Sequence, residues 1–433
     1  MFPIDLLTKA ARATPEAIAV VCGDRRLTYA ALLRDTMALA AGLQSLSNEA
    51  QPRIGVLSPN TFEMFVTLLA IHAGGCVLVP LNPRSSRMEI DQQIAMVKPD
   101  MLVVDPDCAD LFTPTEAPVV FTRGQAPALT FETLLTEHDG QAPRFAPVDP
   151  GAVSAIKFTG GSSGRPKAVV QSFRTTATTA VAIASGFDLR EDDVYLIAAP
   201  MTHGAGSFIL PILARGGSCV IIEGANPAKL VAGLEAHAAT MSWMPPTLLY
   251  MLMDVPGVAQ RRYALRHLIW SGAPATPAKL KQAQAIFGNV LESAYGQAEV
   301  ASVATLIRAH EIIDESYLAS VGRPSMLAQV EIMSPDGAIP PPGALGEIVV
   351  RSDLRMIGYL GMPELTAQTI VDGWVHTGDV GFLDARGYLF IKDRLRDVII
   401  SGGFNVYPSD VEAALTRHPA IREAVVFGLP DEK

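Results

Sequence analysis

Short apolar strand-like runs that alternate with helical patterns most limit what this chain can fold into. After a hairpin signal, Ile18–Cys22 and Arg26–Tyr29 about Gly23-Asp24, the spacing predicts helix over Ala30–Leu46 and strand over Ile54–Ser58. Helix over Thr61–Ala73, strand over Cys76–Leu81, helix over Arg87–Val97 and strand over Met101–Asp105 follow. A Pro-rich, poorly periodic stretch, Thr113–Pro150, interrupts the order. Strands are then expected at Asp193–Ala198, Ser218–Glu223, Thr240–Trp243 and His267–Trp270, between helices such as Thr175–Ser185, Pro227–Ala236 and Pro277–Phe287. That alternation calls for α/β layers with largely parallel sheets and a ligand site at strand C-terminal ends. After about residue 320 the pattern changes to short strands and turns: Gln329–Met333, Glu347–Arg351, Gly373–His376, Gly381–Leu383 and Tyr388–Lys392. They read as a β-rich subdomain.

Composition narrows the function classes. Of 433 residues 49% are hydrophobic and 18% charged, enough for a large core and at least two domains. A net charge of −10 with no basic stripe argues against nucleic-acid binding. Cys22, Cys76, Cys108 and Cys219 have no short pairing pattern and read as buried free thiols of a reducing cytoplasm. The start has no basic segment leading into an apolar one, so no signal peptide is expected. The best membrane candidate, Met64–Leu81, contains His72 and is split by Gly74-Gly75, which predicts a helix, a turn and a buried strand instead of a span.

Residues 158–168 carry the chemistry most openly. Glycines and serines (Gly160, Gly161, Ser162, Ser163, Gly164) stand between Thr159 and Lys167, flanked by apolar runs at Ala155–Phe158 and Ala168–Val170. Such a loop can wrap phosphates: glycines let backbone N–H groups approach, the hydroxyls donate, and lysine supplies charge. It is not the common nucleotide loop, because Pro166 separates Arg165 from Lys167 and a strand follows. Further segments join it: Ala199-Pro-Met-Thr-His-Gly-Ala-Gly, Trp270-Ser-Gly-Ala-Pro, Ala294-Tyr-Gly-Gln-Ala-Glu, Gly373-Trp-Val-His-Thr-Gly-Asp and the stretch from Lys392 to Pro408. Each alone has a structural reading. His203 suits a satisfied imidazole, Glu299 a helix cap, Asp379 a turn and Arg394 a surface ion pair.

In this order the segments resemble the adenylate-forming superfamily of acyl-CoA synthetases, aryl-acid and amino-acid adenylating enzymes and firefly luciferase. The likeness covers nearly the whole chain. It implies an α/β fold: a large N-terminal domain of two layered α/β sheets over residues 1–395, with the β-rich subdomain at about 320–392. A hinge and the start of a small α+β C-terminal domain follow over 396–433. By matching position, Thr159 to Lys167 hold ATP phosphates, while Gly272, Ala273, Pro274 and the Tyr295 ring sandwich adenine. Gly296, Gln297, Ala298 and Ile391 also belong to the nucleotide site. Glu299 helps bind Mg²⁺, Asp379 takes both ribose hydroxyls, Arg394 lies at the ribose and phosphate side, and Arg396 is the hinge. Lys167, His203, Glu299 and Arg394 are the expected catalytic set. Phe173, His203, Gly204, Trp243, Met244, Gly272 and Gly296 are expected around the acyl group.

The implied reaction uses ATP, Mg²⁺ and coenzyme A to turn an aromatic or medium-chain carboxylic acid into acyl-AMP and then a thioester. Transfer to an amine or carrier protein, or a non-catalytic nucleotide- or acyl-adenylate-binding role, stands as an alternative. The oligomeric state stays open, a homodimer being one option. The sequence departs from the family pattern in three ways. Gly160 replaces a hydroxyl residue, and Ala298 stands where threonine usually contacts the α-phosphate. The C-terminal domain that normally carries the family's catalytic lysine near its end is represented by some tens of residues up to Lys433, and that lysine is not among them.

Overall fold

Four neighbouring parallel strands fix where the site forms. They are Val194–Ile197, Met241–Met244, His267–Trp270 and Leu291–Tyr295, lying side by side in a nine-stranded sheet. Their C-terminal ends therefore emerge along one edge, carrying the segments around His203, Gly272 and Tyr295. The sheet continues through Ser218–Ile221 to the hairpin Ile18–Cys22/Arg25–Thr28, and at its other margin through the antiparallel strands Thr305–Ile307 and Arg323–Pro324. The computed structural model describes residues 2–124, 128–144, 149–159, 166–401, 404–415, 418, 420–421 and 424–429.

A seven-stranded sheet forms the second layer, in the order Gly358–Tyr359, Lys167–Ser172, Val153–Thr159, Val77–Leu81, Arg53–Leu57, Met101–Val104, Val119–Phe121. Helices lie between and over the sheets. Phe62–Ala73 is buried along its whole length, which explains its uniformly apolar sequence. Thr61 starts it, its Oγ1 accepting from the Met64 N–H at 3.1 Å. This helix, the Gly74 turn and the Val77–Leu81 strand are the expected reading of the membrane candidate. Among the described residues no helix is long and apolar enough to cross a membrane. One core of apolar residues runs from Ile4 to Leu389, joining both sheets. All four cysteines are free and buried.

The β-rich part forms a five-stranded antiparallel sheet of Ala328–Met333, Gly346–Ser352, Ile370–Val371, Trp374–Leu383 and Leu389–Arg394. The two strands expected at Gly373–His376 and Gly381–Leu383 are one ten-residue strand, Trp374–Leu383. Its pairing with Leu389–Arg394 shifts register between Val380 and Gly381, and such an irregularity hides a continuous strand from a period-2 reading.

Some elements escape the periodicity. Helix Pro3–Ala13 starts on a proline, with the Asp5 carboxylate accepting from the Phe2 N–H at 2.8 Å. Within the Pro-rich stretch lie the strand Val119–Phe121 and the Thr130-capped helix Phe131–Glu137. Beyond Arg394 come a hairpin, Ile399–Ser401 with Phe404–Val406, and the helix Pro408–Leu415. Residues 424–429 are irregular.

Candidate active site

The glycine-rich loop grows from a hairpin. Strand Val153–Thr159 runs into it and Lys167–Ser172 runs out, antiparallel, so that Thr159 and Lys167 face each other across the ladder. Gly160, Gly161, Ser162, Ser163, Gly164 and Arg165 fall outside the described residues. The Lys167 ammonium lies 5.3 Å from the ring centroid of Tyr359. Tyr359 donates its hydroxyl to Glu299 Oε1 at 2.9 Å. Loop base, aromatic ring and carboxylate are thus in sequence, although 132 residues separate Lys167 from Glu299 in the chain (299 − 167).

The strand-end turn at 295–299 makes the second half. Asp379, in Trp374–Leu383, is only 4% exposed, and its carboxylate collects the Tyr295 hydroxyl and the Gln297 side-chain amide, both at 2.6 Å. Arg394 reaches the other oxygen with Nε at 2.8 Å, from the position directly opposite in the neighbouring strand. The Gln297 amide also donates to the Thr377 carbonyl at 3.1 Å, which ties the nine-stranded sheet to the β-rich one. Burial raises the Asp379 pKa against the lowering effect of Tyr295, Arg394 and Gln297, and Glu347 adds to the rise. The Tyr295 phenol is pushed well above its usual range, first by burial and then by Asp379.

Three groups therefore already occupy the carboxylate expected to take ribose hydroxyls. The Tyr295 ring, 7% exposed, packs within the core, while Gly272, Ala273 and Pro274 lie exposed beyond the neighbouring strand end. Gly296 has no room for a side chain, since a Cβ would stand 2.7 Å from the Ser302 backbone. Ala298 packs beside Val169, Met356 and Tyr359, and its carbonyl accepts from Gln171 Nε2 at 2.8 Å. Ile391 is part-buried opposite Gly381. Arg396 is half exposed, its Nε 3.5 Å from Asp397.

No group of three or more His, Cys, Asp and Glu side chains suited to a metal ion occurs among the described residues. Glu299 nevertheless fits Mg²⁺ carried on a nucleotide. Its Oε1 is engaged by Tyr359, and a hard cation of this kind needs one or two carboxylates beside phosphates and water.

Between the two sheets, next to this site, lies a space of about 740 Å³ including its open mouth. Its walls come from the helix Phe62–Ala73 (Leu68, Leu69, His72), the strands bearing Leu78, Ala155 and Lys157, the helix Phe173–Gly186 (Thr176, Thr179), and Met201 to His203. Of the residues expected around an acyl group, His203 alone lines this space. Gly204 packs on Trp243, where a Cβ would meet the indole at 2.4 Å. Phe173 is fully buried, edge-on to Phe2 and His72, and Met244 is fully buried in a second core cluster. His203 is held by Thr202 at 2.8 Å. Partial removal from water lowers its pKa, and the Lys157 and Arg84 cations lower it further.

The family described as AMP-binding enzyme matches residues 7–360. A feruloyl-CoA synthase from Amycolatopsis sp is 34% identical over 429 residues, covering 98% of this chain and 85% of the relative. Among solved structures, the amide bond synthetase McbA from Marinactinospora thermotolerans superposes with a TM-score of 0.89 at 30% identity, covering 100% of this chain and 87% of that one. The o-succinylbenzoate CoA synthetase of Bacillus subtilis, solved with its acyl-adenylate intermediate, gives 0.87 at 27% identity, covering 99% and 87%. From the match over most of its length and the fold it shares with these enzymes, the chain belongs to the AMP-binding enzyme family, the adenylate-forming superfamily.

Proposed function

We propose that the chain activates a carboxylic acid with ATP and transfers the acyl group to coenzyme A. The observation that carries this reading is the buried Asp379 carboxylate with Tyr295, Gln297 and Arg394 around it, in a fold that also holds the Thr159–Lys167 hairpin and an open space between the sheets. A buried carboxylate that can exchange the Tyr295, Gln297 and Arg394 donors for vicinal hydroxyls suits a ribose, and a glycine-rich loop with a lysine at its base suits phosphates.

In the first half-reaction an acid oxygen attacks the α-phosphorus of ATP. A new oxygen–phosphorus bond forms, the bond to the β-phosphate breaks, and pyrophosphate leaves. Little covalent chemistry falls to the protein, so positioning and charge stabilisation dominate. Lys167 and Thr159 steady the phosphates, Asp379 holds the ribose, and Arg394 balances the charge between them. Glu299, oriented by Tyr359, would hold Mg²⁺, which supplies Lewis-acid stabilisation of phosphate charge when bound. In the second half-reaction a thiolate attacks the acyl carbon and AMP leaves, so an activated carbonyl links two easier steps. His203, at the mouth of the apolar space, stands where the acyl group enters. Its lowered pKa keeps the imidazole neutral and compatible with an apolar neighbour.

An amine as acceptor is the second reading, favoured by the likeness to an amide bond synthetase. Incubation with ATP, Mg²⁺, CoA and a panel of aromatic and medium-chain acids tests both. Acid-dependent AMP release with thioester formation is expected. AMP release with amide but no thioester would select the second reading, and no acid-dependent pyrophosphate exchange at all would overturn both.

A further inference from the structure

Lys157 sits where the proposed activity gives it no task. It lies in Val153–Thr159, on the same face as Ala155 and Thr159, and both Ala155 and Lys157 line the open space between the sheets. Among the described residues its ammonium has no carboxylate or hydrogen-bond partner. The acids of the lining are absent altogether: the residues around it are apolar ones, Gln171, Thr176, Thr179, Thr202, Ser207 and two histidines. The charged and titratable groups that act on this region are all basic. His72, from the helix Phe62–Ala73, is 8% exposed and its Nδ1 lacks a hydrogen-bond partner. Burial, followed by the Lys157 charge, pushes its pKa down to about 4, so it is neutral at pH 7. Arg84 adds a further cation near His203.

An unpaired ammonium facing a cavity whose lining holds no acidic side chain is costly unless something in that cavity carries the opposite charge. Folding alone gives no reason to keep it, since Lys157 ties no elements together. A ligand is the remaining source of an anion, and the ligand placed here by the proposed activity is the acid to be activated. The reacting carboxylate belongs beside the Thr159–Lys167 hairpin. Lys157 lies two residues back along the strand, about 7 Å from Thr159, and its side chain opens into the space instead of the loop.

We infer that the acid carries a second carboxylate, and that Lys157, with the unpartnered imidazole of His72 beside it, holds that far end inside the cavity. The preferred substrate class is therefore a dicarboxylic acid of which one end is activated, and Lys157 is the residue that selects it. The inference depends on the acid-activating function proposed above and refines it.

The test compares matched pairs that differ only at the far end: octanedioate with octanoate, and benzene-1,4-dicarboxylate with 4-methylbenzoate. Acid-dependent pyrophosphate exchange is measured, because it reports activation whatever the acceptor. Wild-type protein should favour the dicarboxylate of at least one pair by about tenfold or more in kcat/KM, the worth of one charge-assisted hydrogen bond. Lys157→Met should erase that preference through KM while activity with the monocarboxylate holds or rises, and Lys157→Arg should keep part of it. A wild-type preference for the monocarboxylates would overturn the assignment. So would an equal loss with both members of a pair in Lys157→Met, which would place the lysine on the reacting carboxylate. If the methionine variant fails to fold, the arginine variant and the wild-type ratio decide alone. If the monocarboxylates and dicarboxylates all fail to support exchange, the acid-activating function itself falls and this inference with it.

Discussion

At the residue scale, Asp379 and Lys157 represent opposite uses of a charge drawn away from water, one buried and one part-buried. Asp379 is compensated by Tyr295, Gln297 and Arg394, three partners that a nucleotide would have to rearrange. Asp379→Ala should weaken AMP and ATP binding together by about ten- to a hundredfold, the loss of about 1.5–3 kcal/mol of hydrogen bonding to a charged acceptor. Calorimetry giving wild-type affinity would remove Asp379 from the ribose. Lys157 is uncompensated, and burial lowers its pKa to about 8. Because the folded value lies below that of the unfolded chain, the ammonium destabilises the fold fully below pH 8. That cost disappears as pH rises to the ordinary lysine range. Replacing it with methionine should thus raise the melting temperature of the ligand-free protein at pH 7, the usual conflict between a binding charge and stability. A lower melting temperature would make Lys157 a structural residue. Ala298 is the third informative position. It packs against Val169, Met356 and Tyr359, and Ala298→Thr should restore one phosphate contact and speed adenylation by up to about tenfold. Abolished pyrophosphate exchange in a folded variant would show that alanine shapes the pocket.

At the scale of elements, the site exists because distant strands end side by side. The strand ends carrying His203, Gly272 and Tyr295 were legible from apolar runs bounded by small residues, and the parallel order places them on one edge. The contacts between elements were not legible. The Tyr295–Asp379 bond spans 84 residues, and the Lys167–Tyr359–Glu299 series needs the short strand Gly358–Tyr359 to pair with Val169 and Val170. Lys157 sits inside the Ala155–Phe158 run, which reads simply as an apolar strand. Period-2 alternation puts it on a face with Ala155 and Thr159, but only the helices Phe62–Ala73 and Phe173–Gly186 make that face a cavity wall. Tyr359→Phe examines the inter-element series directly. It keeps the ring beneath Lys167 and removes the hydroxyl from Glu299, so adenylation should slow by about three- to tenfold, the worth of one hydrogen bond. The effect should shrink at saturating Mg²⁺, and an unchanged rate at limiting Mg²⁺ would show that Glu299 does not depend on Tyr359.

At the scale of the whole molecule, the proposal that two half-reactions share one site calls for the segment after Arg394 to move between them. Among the described residues these bonds join it to the rest: Lys392 pairs with Asp410 at 2.7 Å, Ser409 donates its hydroxyl to the Lys392 carbonyl at 2.7 Å, and its N–H reaches Asp393 at 3.0 Å. All three bonds bridge the chain on either side of Arg396, which itself is half exposed and pairs with its neighbour Asp397. Rotation of the backbone there would break three exposed or part-exposed bonds while leaving both large sheets untouched, a small cost set against a large displacement. Proline at 396 fixes φ and removes a backbone N–H, so it should hold the segment in one arrangement. Arg396→Pro is therefore expected to slow one half-reaction by about tenfold or more while the other stays within about threefold. Acid-dependent pyrophosphate exchange follows the first step, and thioester formation from preformed acyl-AMP follows the second. Equal slowing of both, or of neither, would mean that one arrangement of the molecule performs both steps and that Arg396 is not a hinge.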